Sequence, residues 1–252
     1  MSSILAIIPA RFASTRFPGK PLVQIAGKSM IERVYQQVSL CHSVSEIRIA
    51  TDDQRIAEEV IQFGAEAVMT DPDCPSGTDR CAEVLQKEKS SFDFVINVQG
   101  DEPFLRPEQL EELIKTLVET GADIGTLCRK IQKPEEIFNP NVVKCVKSKN
   151  HKALYFSRNP IPFVRGEEKS EWLGKADFFQ HIGLYGFKAA VLPQLSGMDQ
   201  SGLEKAESLE QLRWLENGFS IAVKETTYES IGIDTPEDLD RALEWLKLHP
   251  EF

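Results

Sequence analysis

The residues best equipped to do chemistry fall in three segments far apart in the chain. Arg11, Arg16, Lys20 and Lys28 all precede Glu32, the first acidic residue, although acidic side chains outnumber basic ones 39 to 29 overall. Fixed positive charge among small residues such as Ser14 and Gly19, which let backbone N–H groups approach a ligand, suits a polyphosphate. Solvated surface cations are the plainer reading of the same loop. The second segment, Gln99-Gly100-Asp101-Glu102-Pro103, follows the apolar run 94–98. An aspartate just past a buried strand is a hard oxygen ligand for Mg²⁺, or simply a turn residue beside Gly100. The third is Asp234 before Thr235-Pro236-Glu237-Asp238. Its backbone is pinned at a helix entrance while its carboxylate stays free, and it either binds metal or just complements the helix N-terminus. Ser76-Gly77-Thr78-Asp79-Arg80 is a further phosphate- or base-facing turn, or an ordinary N-cap with Arg80 paired to a nearby carboxylate.

The apolar pattern supplies the elements that must carry these segments. Residues 4–8 read as a short buried strand, and 29–40 as a helix with Met30, Ile31, Val34 and Val38 on one face. Strands at 47–50 and 65–69 flank a helix over 53–63, with Ile56, Val60 and Ile61 inward and Gly64 at its left-handed end. A helix begins after Ser76, 94–98 is a strand covered on both faces, and 107–120 is a helix aligning Leu110, Leu113, Ile114, Leu117 and Val118. This alternation predicts an α/β fold, a mainly parallel sheet with helices on both faces. Ligands in such sheets sit beyond the carboxyl ends of the strands, where the first two segments emerge. After Gly121 the pattern loosens. Residues 123–129, 142–147, 182–187 and 221–223 read as strands, 203–217 as a helix, and the stretch after Thr235 as a capped helix to Leu248. Residues 159–177, rich in Pro, Gly and charge, form a poor core segment suited to a flap or subunit contact. With no repeat or linker, 1–252 reads as a single domain with that insertion embedded.

A net charge of -10 argues against nucleic acid polymers, which need a broad basic face. Five scattered cysteines and four dispersed histidines give neither a disulfide framework nor a zinc signature. Reduced, structural cysteines fit a cytoplasmic protein. No signal-peptide pattern opens the sequence, and no window approaches the roughly 18 apolar residues of a membrane span. The dinucleotide fingerprint and the phosphate-binding G-x-x-x-x-G-K-[ST] loop are both missing, which removes hydride transfer and P-loop hydrolysis.

The motifs Pro-Ala-Arg-Phe-Ala-Ser-Thr-Arg-Phe-Pro-Gly-Lys-Pro-Leu, Ala-Thr-Asp-Asp, Ser-Gly-Thr-Asp-Arg and Asn-Val-Gln-Gly-Asp-Glu-Pro are followed by Asn-Pro-Asn-Val-Val-Lys, Ala-Leu-Tyr-Phe-Ser-Arg, His-Ile-Gly-Leu-Tyr-Gly-Phe, Leu-Glu-Gln-Leu-Arg and Ile-Asp-Thr-Pro-Glu-Asp-Leu. Taken in order, they resemble the 3-deoxy-manno-octulosonate cytidylyltransferases, the CMP-KDO synthetases of bacterial lipopolysaccharide assembly. The resemblance implies a nucleotide-diphospho-sugar transferase fold, CTP and KDO as substrates, Mg²⁺ and a homodimer. It places Arg11 and Lys20 on the CTP phosphates, with Ala10, Ser14, Ser76 and Gly77 lining the nucleotide site. Asp101 and Asp234 would hold the metal. Arg80, Gln99, Tyr155, Arg158, His181, Tyr185, Glu210 and Gln211 would surround the sugar acid. On pattern alone, Tyr155 and Tyr185 are core aromatics, Glu210 a solvated helix face, and His181 a hydrogen-bonded structural histidine. Phe12 stands where the family commonly has Tyr.

The implied reaction is attack by the anomeric hydroxyl of KDO on the α-phosphorus of CTP. Cations offset the charge that grows on the leaving pyrophosphate. A cytidylyltransferase for another acid sugar (8-amino-KDO or a sialic acid) is a close rival, and a nucleotide-binding regulator without turnover is a rival of another class.

Overall fold

In the computed structural model, which describes residues 2–13, 16–229 and 231–249, the first apolar run becomes β1 (Ile4–Ala10). All of β1 except Pro9 is buried, as a strand covered on both faces requires. The chain divides into two compact units: Met1–Glu111 with Ser230–Phe252, and Glu112–Glu229.

In the first unit β1 leads through a loop to the small hairpin β2 (Gln24–Ile25) and β3 (Lys28–Ser29). Then follow α1 (Met30–Ser39), β4 (Glu46–Thr51), α2 (Gln54–Gln62), β5 (Ala67–Met69), α3 (Gly77–Lys87), β6 (Phe94–Asn97) and α4 (Pro107–Thr120), which begins in this unit and continues into the second from Glu112. Ser29, Asp53 and Ser76 each accept a backbone N–H at the start of the helix that follows. Strands β6, β1, β4 and β5 lie side by side in that order, all parallel. Parallel pairing aligns Ile7 with Asn97 and Ala10 with Thr51. The loops after β1 and β6 therefore leave from one edge. Two side chains depart from the expected inward faces: Ile61 of α2 is 65% exposed and Val118 of α4 is 50% exposed. Each directly follows a buried residue, Val60 or Leu117, and a step of about 100° carries it off the apolar stripe.

The second unit holds β7 (Ile124–Lys130), α5 (Pro134–Phe138), β8 (Lys144–Lys147), β9 (Ala153–Ser157), α6 (Trp172–Lys175), β10 (Phe179–Lys188), α7 (Leu192–Ser196), α8 (Gly202–Glu207), α9 (Glu210–Glu216) and β11 (Ile221–Glu225). Strand β7 pairs parallel with β11 and antiparallel with β10, while β8 joins β10 to β9 by antiparallel ladders. The sequence pattern gave no sign of β9. It also predicted one helix over 203–217, where the structure has two, broken at Ser208 (φ 51°) and Leu209. The break follows from a long-range demand: Glu207 turns its carboxylate onto the Ser157 hydroxyl (2.7 Å) and the Arg158 N–H (2.9 Å). The irregular piece 159–177 also carries more core than expected. Its Trp172 is buried with Ile131, Ile137 and Phe178 in a small cluster. Among the described residues no helix is long and apolar enough to cross a membrane.

The chain then returns to the first unit as α10 (Pro236–Leu248). Ala242 of α10 and Ile233 just before it are buried with Ile25, Met30 and Phe104.

Candidate active site

The loop after β1 is closed by one glycine. Gly19 takes a left-handed conformation (φ 73°) and donates its N–H to the Phe12 carbonyl at 2.9 Å. A Cβ on Gly19 would stand 3.1 Å from the Phe12 ring, so conformation and space both call for glycine. The Arg55 guanidinium lies 3.3 Å from the centre of the same ring on its face. Lys20 then opens a short 3-10 turn, Lys20–Leu22, whose C-cap Val23 donates its N–H to the Lys20 carbonyl. Ser14 lies outside the described residues.

Asp101 and Asp234 reach Lys20 from segments far along the chain. Gly100 lets the loop after β6 pass against β1, since a Cβ there would be 2.5 Å from the Pro9 carbonyl oxygen. The Asp101 carbonyl accepts the Ile233 N–H at 2.9 Å, which ties the segment before α10 beside the loop after β6. A capping box fixes the next turn: the Asp238 carboxylate accepts from the N–H groups of Asp234 (3.0 Å) and Thr235 (2.9 Å). Both aspartate side chains then face one ammonium. Lys20 Nζ is 2.7 Å from Asp101 Oδ2 and 3.0 Å from Asp234 Oδ1, while Arg16 Nη2 is 3.2 Å from Asp234 Oδ2. Burial alone pulls the Lys20 ammonium down. The charges and hydrogen bonds of Asp101 and Asp234 outweigh it, so its pKa stands above the ordinary value. Arg16, noted as a loop cation but not as a site residue, belongs to this cluster by geometry.

Other residues gather at the same strand ends. Ala10 is the buried last residue of β1. The next side chain, Arg11, has its Nη2 atom buried with no hydrogen-bond partner among the described residues. Asn97 Oδ1, at the end of β6, is orphaned in the same way. Buried polar atoms are rarely left so, and both are suited to a ligand not present here. A Cβ on Gly77 would lie 3.4 Å from Asn97 Nδ2 and 3.7 Å from Pro9 Cγ, so the glycine keeps the start of α3 close to β1 and β6. Asn97 was missed in the sequence, where its signal is one polar residue inside an apolar run. Ser76 uses its hydroxyl as the N-cap of α3. Arg80 is fully buried, with its guanidinium on Asp52 Oδ2 (3.2 Å) and the Thr70 hydroxyl. Gln99 is half-buried in the loop before Asp101.

The remaining sugar-site candidates stand in the second unit. His181 Nε2 is 2.9 Å from the Thr126 hydroxyl, and burial pushes the imidazole down to about 3. Its ring lies 5.3 Å from that of Tyr185, which packs edge-on against Trp214 at 5.2 Å. Burial raises the Tyr185 phenol well above its usual range, so both side chains are neutral. Glu210 opens α9 and accepts from Arg213 (2.8 Å), and Gln211 beside it is buried. Tyr155 is half-buried on β9. The Arg158 guanidinium donates to the carbonyls of Glu207 (2.7 Å), Pro140 (3.1 Å) and Ser208 (3.3 Å). Lys144, quoted only as part of a motif, is wholly buried, and its ammonium donates to the carbonyls of Asn139 (2.9 Å), Val142 (2.6 Å) and Arg158 (2.5 Å). Burial lowers its pKa. These two cations bind the loops around β8 and β9 to the break between α8 and α9.

A family model described as Cytidylyltransferase matches residues 5–228. A 3-deoxy-manno-octulosonate cytidylyltransferase of Cytophaga hutchinsonii is 53% identical over 240 residues, 95% of this chain and 96% of that protein. Among solved structures, CMP:2-keto-3-deoxy-manno-octonic acid synthetase complexed with CTP superposes with a TM-score of 0.92 at 39% identity, covering 98% of this chain and 100% of that one. A 4-diphosphocytidyl-2C-methyl-D-erythritol synthase from Anaerococcus prevotii, 14% identical, shares the fold with a TM-score of 0.65 over 98% of this chain and 99% of its own.

Proposed function

This chain belongs to the cytidylyltransferase family, and from that membership we propose that it joins CTP to KDO, giving CMP-KDO and pyrophosphate. The observation that carries the reading is the meeting of Lys20 with Asp101 and Asp234, cation and carboxylates at the carboxyl ends of a parallel sheet. The sugar hydroxyl attacks the α-phosphorus, and the bond from that phosphorus to the pyrophosphate oxygen breaks. Both reactants are anions, so the first task of the chain is to offset charge. Arg11 and Lys20 take the phosphates, and one such contact is worth about 10²–10³ in rate by analogy with oxyanion donors. Ala10, Ser14, Ser76 and Gly77 line the nucleotide side. Gln99, Arg80, Tyr155, Arg158, His181, Tyr185, Glu210 and Gln211 serve the sugar acid. Of these, Arg158 acts through the segments it holds, because its guanidinium group already has protein partners. Arg80, by contrast, is tied to Thr70 and Asp52 through its two Nη atoms and has a buried Nε with no partner among the described residues.

Asp101 and Asp234 also fit Mg²⁺. Their oxygens are hard donors, and the Lys20 ammonium between them stands in for a cation at that point. When bound there, the metal supplies charge neutralisation and a lowered pKa for a bound hydroxyl. We further propose that the protein works in the cytoplasm as a homodimer and supplies activated sugar for lipopolysaccharide. The test is pyrophosphate release from CTP with KDO, with and without Mg²⁺. Magnesium-dependent release with KDO is the expected result. Release only with 8-amino-KDO or a sialic acid would reassign the sugar, and CTP binding without release with any of them would make the protein a regulator.

A further inference from the structure

We infer that Lys20 is the resident counter-cation of Asp101 and Asp234, and that the triphosphate, by drawing Lys20 onto itself, opens the two carboxylates to metal. Nucleotide and metal then load as a coupled pair. The inference rests on the reaction assigned above and adds an order of assembly to it.

Three observations support it. First, the occupied oxygens are specific: Asp101 Oδ2 at 2.7 Å, Asp234 Oδ1 at 3.0 Å, and, through Arg16, Asp234 Oδ2 at 3.2 Å. A Mg²⁺ ion would need its ligands at about 2.1 Å, so it cannot share these oxygens with an ammonium seated between them. Second, the occupying cation can leave. Lys20 is fixed at its backbone by the turn after Gly19, but its charge rides on a flexible four-carbon stem. Third, the two carboxylates make an incomplete cage. Among the described residues no group of three or more His, Cys, Asp or Glu could hold a metal. Mg²⁺ characteristically completes such a site with substrate phosphate oxygens. A triphosphate therefore does two things together: it gives Lys20 and Arg16 new anionic partners, and it brings the missing ligands. By linkage, whatever the nucleotide gains from metal, the metal gains equally from the nucleotide.

The test reads Mn²⁺ binding to the full chain by electron paramagnetic resonance, with no nucleotide present. Lys20→Met is expected to bind Mn²⁺ at least about tenfold tighter than wild type, within the usual range of coupling between sites. Lys20→Arg keeps a cation and should stay near wild type. Arg11→Gln removes a cation that does not touch the aspartates, and should gain far less than Lys20→Met. Equal gains for Arg11→Gln and Lys20→Met would reduce the effect to general charge and overturn the inference. So would unchanged or weaker Mn²⁺ binding in a folded Lys20→Met. A second readout needs no variant: the Lys20 ammonium signal in ¹⁵N spectra of wild type should shift on adding CTP with chelator present. An unmoved signal at saturating CTP would sink the idea. Pyrophosphate release is measured separately. Its absence alongside Lys20-dependent Mn²⁺ binding would count against the reaction and leave the displacement standing.

Discussion

Asp101 shows how a single side chain can be tested apart from the fold that carries it. Its backbone carbonyl binds Ile233 and its neighbour Gly100 sets the loop against Pro9, so the path of the loop does not depend on the carboxylate, and an amide in its place can still accept from Lys20. Asp101→Asn is expected to lower turnover by at least about 100-fold while the melting temperature stays near wild type. Pyrophosphate release and a thermal melt check both halves. His181 invites a different measurement. Its folded pKa of about 3 lies below the unfolded value near 6.5, so the unfolded chain binds the extra proton first. The sign follows: the His181 contribution to stability is intact above about 6.5 and is lost as pH falls toward 3. NMR should find its imidazole neutral at every pH above about 5, and a titration near 6.5 would mean that the ring is solvated. Lys20, Asp101 and Asp234 were legible because each stands beside a feature that sequence shows: a glycine, a strand end, a helix cap. Asn97, Arg16 and Lys144 were not, because their significance lies in which atoms surround them.

Among the elements, α10 matters most to the site. Its capping box holds the backbone of Asp234, and the Thr235 hydroxyl accepts the Asp238 N–H at 3.2 Å. Thr235→Ala should cost about 1 kcal/mol of stability, read from denaturant unfolding, with a smaller loss of turnover than Asp101→Asn. An unfolding midpoint equal to wild type would show the box to be dispensable. The box was readable in advance because its residues are neighbours in sequence. The separation of α8 from α9 was not, since the partners of Glu207 lie near Ser157, 50 residues upstream. Strand β9 escaped notice for a related reason. Leu154 on it is 61% exposed, so its pattern carries an apolar residue on the wet side. Ile61 and Val118 mark the same limit in helices, where an apolar residue beside the buried stripe looks like part of it.

For the whole molecule, the contrast is between an overall charge of -10 and a cationic first segment. Anionic substrates meet a net-negative protein at a segment rich in cations, so capture of CTP should depend on ionic strength. Raising salt from about 0.05 to 0.5 M is expected to lower kcat/KM for CTP several-fold with little change in kcat. Insensitivity to salt would place the attraction in short-range contacts alone. The parallel order of the first unit was visible in its alternating pattern. Its division into two stretches was not, because α10 reads as one more helix until Ile233 is seen packed with Ile25 and Phe104. That division has a consequence for biosynthesis. A ribosome that has passed Asp101 has already made β1, β4, β6 and Lys20, yet the second carboxylate arrives only after the entire intervening unit has been translated. If Asp234 holds the metal as proposed, nascent chains and any product clipped ahead of it should be catalytically silent, and competence should appear in one late step of synthesis.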